Sequence, residues 1–89
     1  MAEDKTFQLE IVTPEKSWFA GRVVSLVAPG ALGYLGVLAN HAPLVTTLTP
    51  GKITFRDAEG RSTTFRSAGG GFLEVIQNRA TVLADKVEA

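Results

Sequence analysis

Apolar and polar residues alternate along much of this chain. From Thr6 to Thr13, Phe7, Leu9 and Ile11 fall on one face and Thr6, Gln8 and Glu10 on the other. Successive side chains of a strand point to opposite faces, so this period of two predicts a strand with one buried face. Pro14 ends it, and Glu15-Lys16-Ser17 is a polar turn. Trp18-Phe19-Ala20 follows as a short apolar strand closed by Gly21. Two adjacent aromatics cannot both face the core of a regular strand, which puts Trp18 at a partly covered edge where its N–H finds a partner. Ordinary packing is the expectation for Trp18, with a partner-contact role as the alternative. Arg22 to Ala28 is rich in Val and predicts a central strand.

The pattern continues to the end. Tyr34 to Leu38 and Leu44 to Leu48 are expected strands, and Lys52 to Asp57 and Ser62 to Ser67 form a hairpin around Ala58-Glu59-Gly60-Arg61. Gly69-Gly70-Gly71, expected as a bulge or tight corner rather than an anion-binding nest, leads into Phe72 to Ile76. Gln77-Asn78-Arg79 then turns the chain into Ala80 to Ala84. No segment sustains a 3.6-residue apolar period. Short strands at regular spacing with turn signals between them predict an all-β fold, a two-sheet antiparallel β-sandwich or flattened barrel. The expected organisation is a single domain over residues 1–89 with a core from about residue 6 to residue 85, complete near Asp85.

Between Arg22 and Lys52 there is no Asp, Glu, Lys or Arg. This uncharged stretch is punctuated by Gly30, Gly33, Gly36, Pro43, Pro50 and Gly51, which break both a helix interior and a regular ladder and are expected at turns. The three spaced glycines are expected to take positive φ in consecutive turns. A membrane span needs about 20 mostly apolar, helix-compatible residues, so this stretch is not one. Leu32, Tyr34 and Leu35, on a glycine-hinged loop, are expected as surface kept for a partner.

Composition narrows the function. With 89 residues and a hydrophobic share of 45%, the chain has the size and make-up of one globular domain. Nine basic residues balance nine acidic ones, and no basic stripe is interleaved with aromatics, so nucleic-acid binding is not expected. The absence of cysteine excludes disulfides and thiolate metal sites. Met1-Ala2-Glu3-Asp4-Lys5 is polar and no signal-peptide core follows it, so any membrane association is expected through a partner and not by insertion.

Candidate chemistry is sparse. His41 is the only histidine, with no second His or Cys to share a metal and no Gly-x-Ser-x-Gly elbow to supply a nucleophile. A turn or interface role, with the ring bonded to nearby backbone, is expected for it. Gly30, Gly33 and Gly36 recur every third residue, which is not the spacing of a dinucleotide loop, and no phosphate-binding helix follows. The carboxylates are scattered: Asp57 and Glu59 share a turn, and Glu74 sits among Phe72, Leu73, Val75 and Ile76. No cofactor is expected, and the chain on its own is not an enzyme.

Several segments together resemble a known family. Pro29-Gly30, Gly33, Gly36-Val37-Leu38, His41-Ala42-Pro43-Leu44, Leu48 and Pro50-Gly51 are similar to the central signature of the epsilon subunit of F-type ATP synthases. Leu9 to Glu15 resembles that family's first strand, and Gly70 to Val75 with Thr81 to Asp85 resembles its last hairpin. The resemblance runs from about Phe7 to Asp85 and implies a sandwich of about ten short strands. It further implies a non-catalytic rotor subunit that grips the gamma subunit, touches the ring of c subunits and couples proton flow to ATP synthesis. By the same resemblance His41, Thr46 and Thr13 are the expected gamma contacts, and Leu32, Tyr34 and Leu35 the expected c-ring contacts. The implied location is the cytoplasmic face of a bacterial membrane, held there through the complex.

The sequence departs from the family pattern in three places. Tyr34 stands where many members carry an acidic residue, and Ala39-Asn40 replaces a frequent Pro-Gly. Asn tolerates left-handed backbone, so the turn is expected to survive. Most members continue into two antiparallel helices, and these 89 residues contain neither, as a naturally short form or an excised domain would. The alternative to the rotor reading is a generic β-sandwich module for protein interaction or ligand binding.

Overall fold

A computed structural model describes residues 5–89, and the polar start Met1 to Asp4 lies outside the described residues. Ten strands follow one another: β1 (Phe7–Val12), β2 (Ser17–Val23), β3 (Ser25–Gly30), β4 (Gly33–Leu38), β5 (Leu44–Leu48), β6 (Gly51–Arg56), β7 (Ser62–Ser67), β8 (Gly71–Ile76), β9 (Arg79–Ala84) and β10 (Val87–Glu88). They form one sheet in the order β10-β7-β6-β3-β5-β8-β9-β1-β2, with β4 on the free side of β3.

That sheet folds over on itself into two layers, and the crease lies where the sequence interrupts its ladders. β5 continues into β6 past Thr49-Pro50, β7 into β8 past Ala68-Gly69-Gly70, and β9 into β10 past Asp85-Lys86. Each pair is one long strand bent at the same line. On one side of it β6, β7 and β10 pair with one another and with β3, and on the other β5, β8 and β9 pair and continue to β1 and β2. Backbone bonds from Ala68 N to Lys86 O and from Asp85 N to Gly70 O stitch the crease, both at 3.0 Å. Pro50 has no N–H for a ladder, and a Cβ on Gly71 would lie 2.1 Å from the Leu83 carbonyl oxygen, so only glycine lets the strands approach so closely there. The expected corner at Gly69 to Gly71 is this crease.

Between the layers lies the core: Phe7, Leu9 and Ile11 of β1, Leu26 of β3, Ile53 and Phe55 of β6, Leu73 and Val75 of β8, and Val82 of β9 are all buried. Burying one such side chain fully contributes about 1.5–3 kcal/mol, which is why the inner faces of β1, β6, β8 and β9 are apolar.

Four features differ from the sequence expectation. The Val-rich run Arg22 to Ala28 is two strands, not one. Arg22 and Val23 finish β2 against Gln8 and Phe7, the Val24 N–H bonds the Arg56 carbonyl, and Ser25 opens β3 in the other layer. One apolar run therefore serves both layers. Second, Trp18 and Phe19 both pack on the core cluster. The register slips between Ile11 and Val12, so Val12 faces Ser17 while Ile11 faces Phe19, and Trp18 is the extra residue of a β-bulge. The bulge turns two adjacent aromatics to one side, Phe19 onto Phe55 (centroids 4.3 Å apart) and Trp18 edge-on to Phe65 (5.8 Å).

Third, the sheet is not wholly antiparallel, since β1 and β9 pair in parallel from Gln8↔Arg79 to Val12↔Leu83. Fourth, the sandwich does not end at Asp85. β10 pairs with β7, and Val87 is buried in the core.

Candidate interaction surface

The outer face of the layer β5-β8-β9-β1 is apolar where solvent-facing strands are ordinarily polar. Val45 of β5, Phe72 and Ile76 of β8, and Leu83 of β9 are all exposed, Val45 by 70%. Register brings them together: Phe72 stands between Thr47 and Leu83, Leu83 lies beside Val12, and Glu74 is between Val45 and Thr81. At the crease end the face dips into a groove of about 430 Å³ lined by Val12, Thr13, Thr47, Phe72 and Leu83 among others. The outer face of the opposite layer differs, carrying Lys52, Arg56 and Arg66 beside Thr54 and Thr64.

Sequence reasoning named none of Val45, Phe72, Ile76 or Leu83 as site residues. A signal for them existed: Phe72-Leu73 with Val75-Ile76, and Val82-Leu83, are apolar on both faces of their strands. A one-sided strand alternates, so doubled apolar positions ask for burial on both sides.

His41 and Thr46 lie in a second groove, of about 380 Å³, between β4 and β5. Leu32, Tyr34, Leu35 and Leu44 line the same groove, so two of the three residues expected against gamma share a surface with all three expected against the c ring. His41 is half-buried, and its Nδ1–H donates to the Ala42 carbonyl at 2.7 Å. Thr13 is elsewhere, at the end of β1 and three strands from β5. It is only 9% exposed, and its hydroxyl accepts from Trp18 Nε1 at 3.2 Å and donates to the Lys16 carbonyl at 3.4 Å.

The three loop residues expected as one apolar tip have three different environments. Leu32 projects fully into solvent at the turn between β3 and β4. Leu35 is half-buried against the core. Tyr34 is exposed by 60%, yet its hydroxyl accepts the Lys52 N–H at 3.0 Å and it lies against Gly51, where a Cβ would come within 2.8 Å of the phenol oxygen. Of Gly30, Gly33 and Gly36, only Gly33 takes positive φ (128°), because the turn needs just the two residues Ala31 and Leu32. Gly30 and Gly36 are strand residues paired with Gly33 and Val27. Pro43 and Pro50 lie outside strands, and Gly51 opens β6. Ala39-Asn40 does make the turn expected of it, with Asn40 at φ 63° and its N–H bonded to the Asn78 side chain at 2.7 Å.

Glu74, expected near apolar neighbours, is exposed and directed outward among them. Among the described residues no three His, Cys, Asp or Glu side chains gather as a metal site, and no helix is long and apolar enough to cross a membrane.

The arrangement is a folded-over β-sandwich with a cluster of exposed apolar side chains on one outer face and a protruding hairpin. The chain belongs to the family described as ATP synthase, Delta/Epsilon chain, beta-sandwich domain, whose profile matches residues 6–89. It is similar to the ATP synthase epsilon chain of Pelotomaculum thermopropionicum, 51% identical over 86 residues, covering 96% of this chain and 62% of that one. The epsilon chain of Chlorobaculum tepidum is 43% identical, with 97% of both chains covered. The chain thus spans under two thirds of the first of these relatives and nearly all of the second.

Among solved structures, a chain of the Euglena gracilis mitochondrial ATP synthase (OSCP/F1/c-ring, rotational state 1) superposes with a TM-score of 0.87 at 19% identity. That match covers 98% of this chain and 55% of the other. A chain of the Tetrahymena thermophila mitochondrial ATP synthase central stalk and c-ring gives 0.78 at 16% identity, covering 97% and 68%. At these identities the superpositions establish the fold.

Proposed function

We propose that this chain is a non-catalytic rotor domain of an F-type ATP synthase, docking on the gamma subunit and reaching the c ring, so that proton flow and ATP synthesis are mechanically coupled. The observation that carries this reading is the apolar outer face of β5-β8-β9-β1 on a member of the epsilon-chain sandwich family. Interfaces concentrate apolar and aromatic groups, as this face does at Val45, Phe72, Ile76 and Leu83, with Glu74 the one acid set directly among them. Gamma covers that face. Gamma also reaches His41 and Thr46, in the groove on the inward-facing side of β5, while Thr13 supports the β1 border of the face by fixing Trp18. A sandwich suits the task because ladder hydrogen bonds resist shear while the strands hold their side chains rigidly.

The c-ring contact belongs to the β3–β4 turn, with Leu32 as the residue that touches, and Leu35 and Tyr34 as its support. The domain is then peripheral to the membrane, on the side where the catalytic head sits, and held there by its partners.

Reconstitution into an epsilon-depleted synthase tests this reading. Leu32→Asp is the informative variant because Leu32 packs on nothing in the isolated domain, so the fold is unaffected. ATP-driven proton pumping is expected to fall more than ATP turnover. Equal losses, or no loss, contradict the c-ring placement. Failure of the unmodified chain to restore pumping contradicts the rotor reading itself.

A further inference from the structure

Glu74 holds a position that the apolar face does not explain. It lies mid-strand in β8, with Phe72 and Ile76 on either side along the strand and Val45 and Thr81 directly across from it. In the next strand, Glu10 pairs with the far side of Thr81. A row Val45–Glu74–Thr81–Glu10 therefore crosses β5, β8, β9 and β1, with both carboxylates on the outer face and Thr81 between them. At about 4.8 Å per strand, the two acids are about 10 Å apart. The basic residues nearest in the register lie one pair further out: Arg79, opposite Ile76 and exposed at the rim, and Arg22, opposite Gln8 with its guanidinium bonded to Thr6.

Covering this face with a purely apolar partner would strip water from Glu74 without replacing its hydrogen bonds, which strongly disfavours the ionised carboxylate there. A partner that binds here well must bring a cation to the middle of its own apolar surface. We infer that Glu74 is the specificity residue of this face, and that the matching partner surface is apolar with one Arg or Lys seated above Thr81, between Glu74 and Glu10. Arginine suits the place better than lysine, because its planar fork donates to both sides at once. The pair makes register explicit: apolar groups alone tolerate sliding, and a desolvated ion pair does not.

The inference rests on the reading that gamma covers this face, and the sign of one substitution separates the two. Affinity of the purified chain for the isolated gamma subunit is measured by isothermal titration between about 20 and 300 mM salt. The chains compared are the wild type, Glu74→Gln, Glu10→Gln and Arg79→Gln. All three substituted residues lie on the outer face, and circular dichroism checks that each variant folds. Glu74→Gln is expected to weaken binding by roughly thirtyfold or more, the loss that follows truncation of a desolvated ion pair, and to flatten the salt dependence. Glu10→Gln is expected to do the same to a smaller degree.

If Glu74→Gln binds gamma as tightly as the wild type, or more tightly, the partner brings no cation and the inference fails while the gamma reading stands. If Arg79→Gln reproduces the Glu74→Gln loss, the counter-ion is internal and the inference also fails. If the wild-type chain binds no gamma at all, both readings fall.

Discussion

A few single residues fix how the surface is held. Thr13 is the clearest, because its hydroxyl ties Trp18 Nε1 to the turn after β1 while its side chain is nearly inaccessible. Thr13→Val keeps the shape and removes the acceptor, leaving the indole N–H without its partner. Thermal or denaturant unfolding should show a loss of about 1–2 kcal/mol, and an unchanged midpoint would remove the structural role. Gly71 is more demanding, since the contact its Cβ would make is with backbone. Gly71→Ala should cost about 1–3 kcal/mol by the same measurement, as overpacking against an immovable neighbour does. These two residues looked different in the sequence: glycine runs announce a crease, whereas nothing around Thr13 distinguishes a bonded hydroxyl from an exposed one.

At the scale of elements, the hairpin between β8 and β9 turns on two residues, Gln77 at φ 51° and Asn78 at φ 60°. That is the two-residue geometry whose twist matches paired strands, and it favours Asn and Gly. Asn78 has a second task, accepting the Asn40 N–H and donating to the Thr6 carbonyl, so it ties two turns to the start of β1. Gln77 has no such task. Gln77→Gly should therefore raise stability by about 0.5–1 kcal/mol, and Asn78→Gly should lower it despite relieving the same strain. A rise for both would mean that the Asn78 bonds contribute nothing.

Most elements were legible in the sequence because one buried face imposes a period of two, as in β1 and in the β6–β7 hairpin. Three features were not. The break at Val24 is invisible because both layers ask for the same Val-rich run. The bulge at Trp18 is a register event, set by what Ile11 and Val12 pair with across the sheet. β10 is two residues long, too short to show any period.

For the whole molecule, the two outer faces divide the work. The opposite layer mixes exposed Val27 and Leu38 with the charges of Lys52, Arg56 and Arg66, while the β5-β8-β9-β1 layer keeps Val45, Phe72, Ile76 and Leu83 in the open. Of the contacts expected from the family resemblance, His41 and Thr46 lie in the groove beside β4 and Thr13 at the end of β1, and none is among the exposed apolar residues of this second face. The reason is physical: a signature of glycines, prolines and one histidine records backbone turns, whereas a docking face is written in exposed side chains whose direction depends on register. A charge placed at the centre tests that division. Val45→Asp should reduce gamma affinity by about tenfold or more without unfolding the domain, and no change in affinity would move the interface elsewhere.

The central claim is that gamma covers this face and not the other, and methyl cross-saturation in solution addresses it directly. With the chain perdeuterated except at its methyl groups, gamma fully protonated and the solvent deuterated, saturation of gamma protons outside the methyl region should pass most strongly to Val45, Ile76, Leu83 and Val12. Val27 and Leu38 provide the internal control, because they are also exposed, at 42% and 64%, but lie on the opposite layer. The account predicts a strong loss of signal at the first group and little at the second. Saturation concentrated at Val27 and Leu38 would contradict it.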